Sequence, residues 1–379
     1  MKPVLSAIDL PLFFEPHHAP LCEILVTKIA AVERASSGPD APARIAAAMG
    51  DDLELYQWLL PEGESSDVRS LCLVRELLGY TSPLADAIYA VQGLGSYPIL
   101  LVGNEEQKQC LAALRSGSRI AGFALTEPEA GSDVASMKTL ATADGDNWRL
   151  TGQKTLISNV GIANQFVVFA NANPDAGRKG ITAFLVQADA PGFSSKKIQL
   201  SDDHPIGDIV LENCPAQLLG EVGGGFKLAL TTLDRFRVSV GAAAVGMARR
   251  AFVEAAEHVR NRIQFGAPLA EQQLVQAHLA NMQVDLDASR LLVLRAAHLA
   301  DTQSGRLSSE AAMAKLFSTE AAQRVVDTAV QLMGGRGVVH GNIVEHLYRS
   351  VRPLRIYEGT SEIQRLIIGR AIAKAGAKS

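Results

Sequence analysis

The 379-residue sequence is poor in the features that mark specialised classes of protein. Its 4 cysteines, Cys22, Cys72, Cys110 and Cys214, lie far apart and form no C-x-x-C pair. That excludes a disulfide framework and a zinc knuckle, and predicts free thiols in a reducing compartment. Charge of one sign is not in excess: 36 Lys plus Arg face 40 Asp plus Glu, a net of -4, which excludes a nucleic-acid binder or a polybasic membrane protein. Long apolar runs are missing too. The stretch from Val238 to Met247 is bounded by Arg237 and Arg249 and falls short of the ~20 residues that a bilayer requires. The opening MKPVLSAIDLPLFFEPHH has neither an apolar signal core nor the Arg-rich character of a transit peptide, so the cytoplasm is the expected location.

Several catalytic signatures are absent as well. HGNIVEH carries His340 and His346 without the H-E-x-x-H spacing that sets two imidazoles on one helical face, so no metal is expected. There is no G-x-S-x-G nucleophile elbow. The glycines of GEVGGGF and MGGRG open no strand-helix-strand unit, which excludes a Rossmann site.

What remains is a globular chain, 47% hydrophobic and 20% charged, with three textures. Up to about residue 121 it reads helical: Leu71, Val74 and Leu78 share a face, and EEQKQCLAALRSG has acidic residues first and Gly117 at its end. Pro3, Pro11, Pro16 and Pro20 predict an irregular start. From 122 to 226 short β-like runs (QFVVFANA, GITAFLVQA, IGDIVLENC) alternate with turn-forming stretches. From 227 to 379 helical spacing returns, with Val275, Leu279, Met282, Leu286 and Val293 in one stretch and Met313, Leu316, Phe317 and Leu332 in the next. The fold class is therefore α+β: an N-terminal helical domain (1–121), a middle β-sheet or barrel domain (122–226) and a C-terminal helical bundle (227–379).

Two segments could carry chemistry. FALTEPEAGSD, from Phe123 to Asp133, leaves a strand with the hydroxyls of Thr126 and Ser132 and a flexible Gly131, and could offer N–H groups to polar ring atoms or phosphate. A solvated loop would look the same. RPLRIYEGTSEIQR sets Glu358 and Gly359 before a helix whose Ser361 and Gln364 have capping-box spacing. There an acidic residue could simply complement the helix dipole.

Together these motifs resemble the acyl-CoA dehydrogenase family. ALTEPEAGSDVAS (Ala124 to Ser136) fits its first signature, QLMGGRGVVHGNIVEHLYRSVR resembles the second, and IYEGTSEIQRLIIGR follows. The resemblance implies an FAD enzyme in which a base removes the α-proton of an acyl-CoA thioester while hydride leaves the β-carbon, with electrons passed to an electron-transfer flavoprotein. It implies a homo-oligomer, a dimer of dimers, and no nucleic-acid or membrane partner. Glu358 falls at the catalytic base, and Phe236, at the family's alternative base position, cannot take a proton. Flavin contacts carry over to Phe123, Leu125, Thr126, Gly131, Ser132, Ile157 and Ser158. Arg262, Gln264 and Phe265 fall where a neighbouring subunit reaches the flavin, with Gln273 beyond them. Gln331, Gly334, Gly335, Thr360 and Glu362 complete the cofactor set; Ser132, Asp234, Arg237, Tyr357 and Gly359 fall at substrate positions.

The chain departs from the family's pattern at Leu156 (commonly tryptophan), Glu362 (commonly glutamine), Gly341 and the segment KIQLSDDHPIGDIVLENCPAQ, which bear on acyl specificity and the CoA grip. Desaturation on a carrier protein, use of oxygen as acceptor, and an inactive scaffold of the same fold remain open.

Overall fold

A computed structural model describes residues 5–7, 10–36, 38, 40–61, 67–145, 147–305 and 307–375. Pro3 lies outside the described residues. The chain divides into two compact units that do not follow chain order: one of residues 1–33, 67–86 and 237–379, the other of residues 34–66 and 87–236.

The helices before the sheet are α1 (His18–Ala35), α2 (Ala41–Ala47), α3 (Val68–Thr81), α4 (Pro83–Val102), α5 (Glu105–Lys108) and α6 (Cys110–Arg115). The irregular start ends earlier than the prolines suggest, because Pro20 sits in the first turn of α1, where its missing N–H has no helical partner to lose. EEQKQCLAALRSG forms two short helices: Asn104 and Gln107 build a capping box at the first, and the helix is interrupted at Gln109.

In the second unit a seven-stranded sheet is formed by β1 (Ala121–Ala124), β2 (Leu140–Asp144), β3 (Asn147–Ser158), β4 (Gln165–Asn171), β5 (Ile181–Gln187), β6 (Phe193–Lys197) and β7 (Ile206–Leu219). The order β1-β4-β2-β3-β7-β5 closes on itself through β4 pairing β5, and β6 lies on β7. Every residue of β4 is buried, as is β5 except for Gln187, which explains why QFVVFANA and GITAFLVQA read as continuous rather than alternating apolar runs. Along β3 and β7 the register shifts between Lys154 and Ile157, and in that bulge Leu156 turns to φ 54°.

The first unit is helical. Besides α1 and α3 it holds α7 (Gly225–Asn261) from Arg237 onward, the hairpin β8 (Ile263–Gln264) and β9 (Ala267–Pro268), α8 (Gln273–Thr302), α9 (Ser308–Met333), α10 (Ile343–Val351) and α11 (Ser361–Ala375). Helix α3 is buried on all sides, so its charges are paired: Arg69 with Asp301 at 2.8 Å, and Glu76 with Arg249 and Arg290 at 3.2 Å each. It crosses α7 at main-chain distance. A Cβ on Gly246 would sit 2.0 Å from the Glu76 carbonyl oxygen, so only glycine permits the crossing.

On α9 the sequence periodicity selects the wrong face. Met313, Leu316, Phe317 and Leu332 are half-buried, whereas the buried face is made of Ala311, Ala312, Ala314, Lys315, Ser318, Ala321, Ala322, Val325, Val326 and Ala329. Small side chains on that face let a neighbouring helix approach closely, so the larger ones are left at the flanks.

Candidate active site

In the helical unit, Glu358 lies in the short link between a 3-10 turn (Pro353–Arg355) and α11. Both it and Gly359 are left-handed, with φ of 53° and 94°. That is unremarkable for glycine but costs a glutamate roughly 1–2 kcal/mol. The link is held by its carbonyls. Arg237 Nε on α7 donates to the Glu358 oxygen at 3.2 Å, Lys315 Nζ on α9 to the Gly359 oxygen at 2.8 Å, and Gln364 Nε2 on α11 to the same oxygen at 2.8 Å and to that of Glu358 at 3.4 Å.

The capping expectation shifts by one residue. Thr360 Oγ1, not Ser361, accepts from the Ile363 N–H at 3.3 Å; Ser361 donates to Glu320 at 2.6 Å, and Gln364 turns back to the carbonyls.

The Glu358 side chain is partly exposed as a whole, yet its Oε2 is enclosed without a hydrogen-bond partner. Burial raises its pKa, against the pull of Arg75, Arg237 and Lys315 nearby. Arg75, fully buried, grips Asp86 with two bonds of 2.8 Å and Ser239 with one of 2.9 Å. Tyr357 keeps 37% of its surface exposed, but desolvation of its hydroxyl end raises its pKa against the pull of the neighbouring Arg75. A carboxylate that is enclosed, unpaired and held high in pKa is the form a general base takes.

In the sheet unit, the loop after β1 lies against the end of β3. The Thr155 N–H donates to the Thr126 carbonyl at 3.0 Å, and Lys154 Nζ reaches the Leu125 carbonyl at 3.1 Å. Thus the residues drawn from FALTEPEAGSD and from KTLISN are neighbours. Glu127 of that loop is no solvated carboxylate: 5% exposed, it accepts from Lys154 at 2.7 Å, from the Thr139 N–H at 3.0 Å and from the Lys138 N–H. Phe123, Thr126 and Ser158 are half-buried, Leu125 and Ile157 buried, and Gly131 and Ser132 exposed. The Ser158 hydroxyl meets His204 Nε2 at 2.7 Å, and desolvation holds His204 down to about 4, so it is neutral near pH 7.

Arg262, Gln264 and Phe265 lie on the β8–β9 hairpin, where Phe265 is 95% exposed at φ 55°. Ile263, Leu274, Val284, Val338 and Val339 are also exposed apolar residues of that unit. Gln273, Gln331, Gly334, Gly335 and Glu362 are exposed, while Asp234 and Thr360 are half-buried. Among the described residues, His17, His18 and Asp67 are the one group with ligand atoms close enough to hold a metal ion, but Asp67 caps α3 through the Ser70 N–H and accepts both imidazoles.

Residues 122–214 match the model for the acyl-CoA dehydrogenase middle domain, and residues 223–373 that for the acyl-CoA dehydrogenase C-terminal domain. The chain is 39% identical over 320 residues to the probable acyl-CoA dehydrogenase FadE25 of Mycobacterium tuberculosis, with 82% of each chain covered. The chain belongs to the acyl-CoA dehydrogenase family. It is also 42% identical over 278 residues to the human mitochondrial short-chain specific acyl-CoA dehydrogenase, covering 72% of this chain and 67% of that one. Among solved structures, the acyl-CoA dehydrogenase of Bacillus anthracis complexed with FAD superposes with a TM-score of 0.87 at 30% identity, covering 97% of this chain and 69% of that one.

Each unit, taken by itself, carries residues whose chemistry fits the FAD of an acyl-CoA dehydrogenase. Gly131, Gly334 and Gly335 have no heavy atom within 4 Å of where a Cβ would stand, so each presents bare main chain, and Ser132 offers an exposed hydroxyl. The residues that sequence reasoning missed are Arg75, Asp86, Glu127, Lys154, His204 and Lys315, and Gln364, read there as part of a capping box, binds the link's carbonyls instead. The usable signal was a charged residue within an apolar helical stripe, as in LCLVRELL and AAMAKLFSTEAA, since a charge there must be paired.

Proposed function

We propose that the protein is an FAD-dependent dehydrogenase that converts an acyl-CoA thioester to the trans-2-enoyl-CoA, with Glu358 as the base, and that it passes electrons to an electron-transfer flavoprotein. The observation that carries this reading is the enclosed, unpartnered Oε2 of Glu358 with its raised pKa. Glu358 takes the α-proton as the Cα–H bond breaks; the Cα–H electron pair forms the double bond. FAD, when bound, accepts the hydride that leaves the β-carbon. Burial brings the carboxyl's pKa nearer to that of the carbon acid, and Arg75, Arg237 and Lys315 keep it ionisable.

Thr126, Gly131, Ser132 and Ser158 would hold the flavin through hydroxyls and bare main chain, with Phe123, Leu125 and Ile157 as apolar neighbours. Gln331, Gly334, Gly335, Thr360 and Glu362 would hold the rest of the dinucleotide, and Asp234, Arg237, Tyr357 and Gly359 would face the substrate. Arg262, Gln264, Phe265 and Gln273 would serve the flavin of a second copy of the chain. The exposed Phe265 and the other exposed apolar residues of its unit support such a homo-oligomer, built as a dimer of dimers. A short acyl group is the first candidate, on the likeness to the human short-chain enzyme. Cys22, Cys72, Cys110 and Cys214, none of them in a disulfide, fit the cytoplasm, and the division into three domains at about residues 121 and 226 belongs to the same proposal.

The test is anaerobic flavin bleaching across acyl-CoAs of increasing length, with Glu358→Gln alongside. The variant should keep its flavin and lose bleaching, because an amide takes no proton near neutral pH. Bleaching at the wild-type rate would show that the base is elsewhere.

A further inference from the structure

The donors around Glu358 address its main chain rather than its carboxyl, and one of them is chemically costly. Lys315 is fully enclosed on α9 in a face of Ala311, Ala312, Ala314, Ser318 and Thr319. Its ammonium makes one hydrogen bond among the described residues, to the Gly359 carbonyl at 2.8 Å, and no ion pair there. Burying an ammonium on a single neutral acceptor is unfavourable, and a methionine would fill the same space without that cost. Desolvation accordingly pulls its pKa down to about 8, with Glu358 the strongest charge acting in its favour.

The acceptor belongs to a link in which two successive residues are left-handed, a conformation that persists only when its surroundings enforce it. Three donors from three helices converge on the two carbonyls of that link. A Cβ on Gly359 would stand 2.7 Å from Gln364 Nε2, so the glycine is what admits the amide.

We infer that Lys315 is a positioning residue for the base: by fixing the Gly359 carbonyl it holds the left-handed Glu358–Gly359 link, which aims the Glu358 carboxyl. The inference rests on Glu358 being the base, and it adds a requirement that this assignment does not contain.

The test uses flavin-loaded Lys315→Met and Lys315→Arg and reads two quantities: the rate of flavin bleaching by the best acyl-CoA, and that substrate's dissociation constant. Lys315→Met should bleach at least about tenfold more slowly, with binding and flavin content within about twofold of wild type, and Lys315→Arg, which restores a donor, should recover part of the rate. An unchanged rate in Lys315→Met overturns the inference. So does an equal loss in both variants with weaker substrate binding, which is the signature of general damage. Should Lys315→Met fail to fold, Gln364→Met removes another donor to the same oxygen; slower bleaching with unchanged binding supports the inference, and a wild-type rate overturns it. Glu358→Gln separates the two failures. If it loses bleaching and Lys315→Met does not, only the positioning role falls; if it bleaches normally, the base assignment falls and takes this inference with it.

Discussion

Replacing Glu127 by glutamine tests whether the loop after β1 is anchored by a buried charge pair. In the native protein the carboxylate is 5% exposed and takes three donors: the Lys154 ammonium, which is fully buried, and the N–H groups of Thr139 and Lys138. An amide offers one oxygen to these donors and brings N–H groups of its own, so at least one donor is left without a partner. Removing one member of a buried ion pair costs ~3–5 kcal/mol. Here the lower end applies, because burial already pulls Lys154 down to about 8 and the orphaned amine can escape further cost by losing its proton. The expected loss is about 3 kcal/mol at pH ~7 by urea denaturation. The sign with pH follows from proton counting. A lysine whose folded pKa lies below its unfolded value of 10.5 is protonated more in the unfolded chain, so stability rises with pH between the two values. In the wild type that rise begins near 8; in Glu127→Gln it begins lower, so the deficit narrows between pH ~7 and ~9. Glu129→Gln is the control, since Glu129 and its partner Lys138 are both exposed; it should change nothing measurable. The double variant Glu127→Gln/Lys154→Met should regain part of the loss, because the amide oxygen then has only the Thr139 and Lys138 N–H groups to satisfy. A Glu127→Gln protein within about 1 kcal/mol of wild type, or one whose deficit stays flat with pH, would refute the reasoning.

Three further outcomes are expected. Because burial raises the Glu358 pKa over the combined pull of Arg75, Arg237 and Lys315, with Asp86 adding to the rise, kcat/KM should climb with pH through a limb above the ordinary value of 4.5, and Glu358→Gln should have no such limb. Arg262→Ala should lower flavin occupancy and weaken the oligomer together, read by absorbance and sedimentation; a fully flavinated monomer would contradict the hairpin's assignment. Leu156→Trp places an indole at a 52%-exposed bulge position whose left-handed backbone is already accepted, and should quench flavin emission while changing bleaching by less than ~tenfold, or ~1.4 kcal/mol. Unchanged emission would mean that residue 156 does not face the flavin.

The sequence was most informative where a chemical requirement and a local pattern coincide. The strands β4, β5 and β7 stand where the β-like runs predict them, and Glu358 stands in the acidic link before α11. Patterns failed where a role depends on residues distant in the chain. Glu127 reads as one of three carboxylates in a polar loop, and nothing near it reveals that Lys154, on β3, neutralises it. The spacing of Met313, Leu316 and Phe317 marks a flank of α9 as its apolar face, whereas the buried face is the alanine side that carries Lys315. Ser361 and Gln364 have the spacing of a capping box, but spacing alone does not reveal that Glu320 takes the serine and the link's carbonyls take the glutamine. Each of these is a contact between elements, and local periodicity carries no information about which elements meet.

Because Arg237, Lys315 and Gln364 bind the carbonyl oxygens of Glu358 and Gly359, the link works as a socket whose hydrogen bonds do not depend on the side chain it carries. Every residue type has the same carbonyl to offer, and any L-residue other than glycine at 358 meets a comparable left-handed penalty. Aspartate at position 358 would keep both the carbonyl contacts and the negative charge that favours the Lys315 ammonium, histidine or cysteine would keep only the contacts, and position 359 has no such freedom. For an engineer, the protein separates the choice of reactive group from the machinery that presents it.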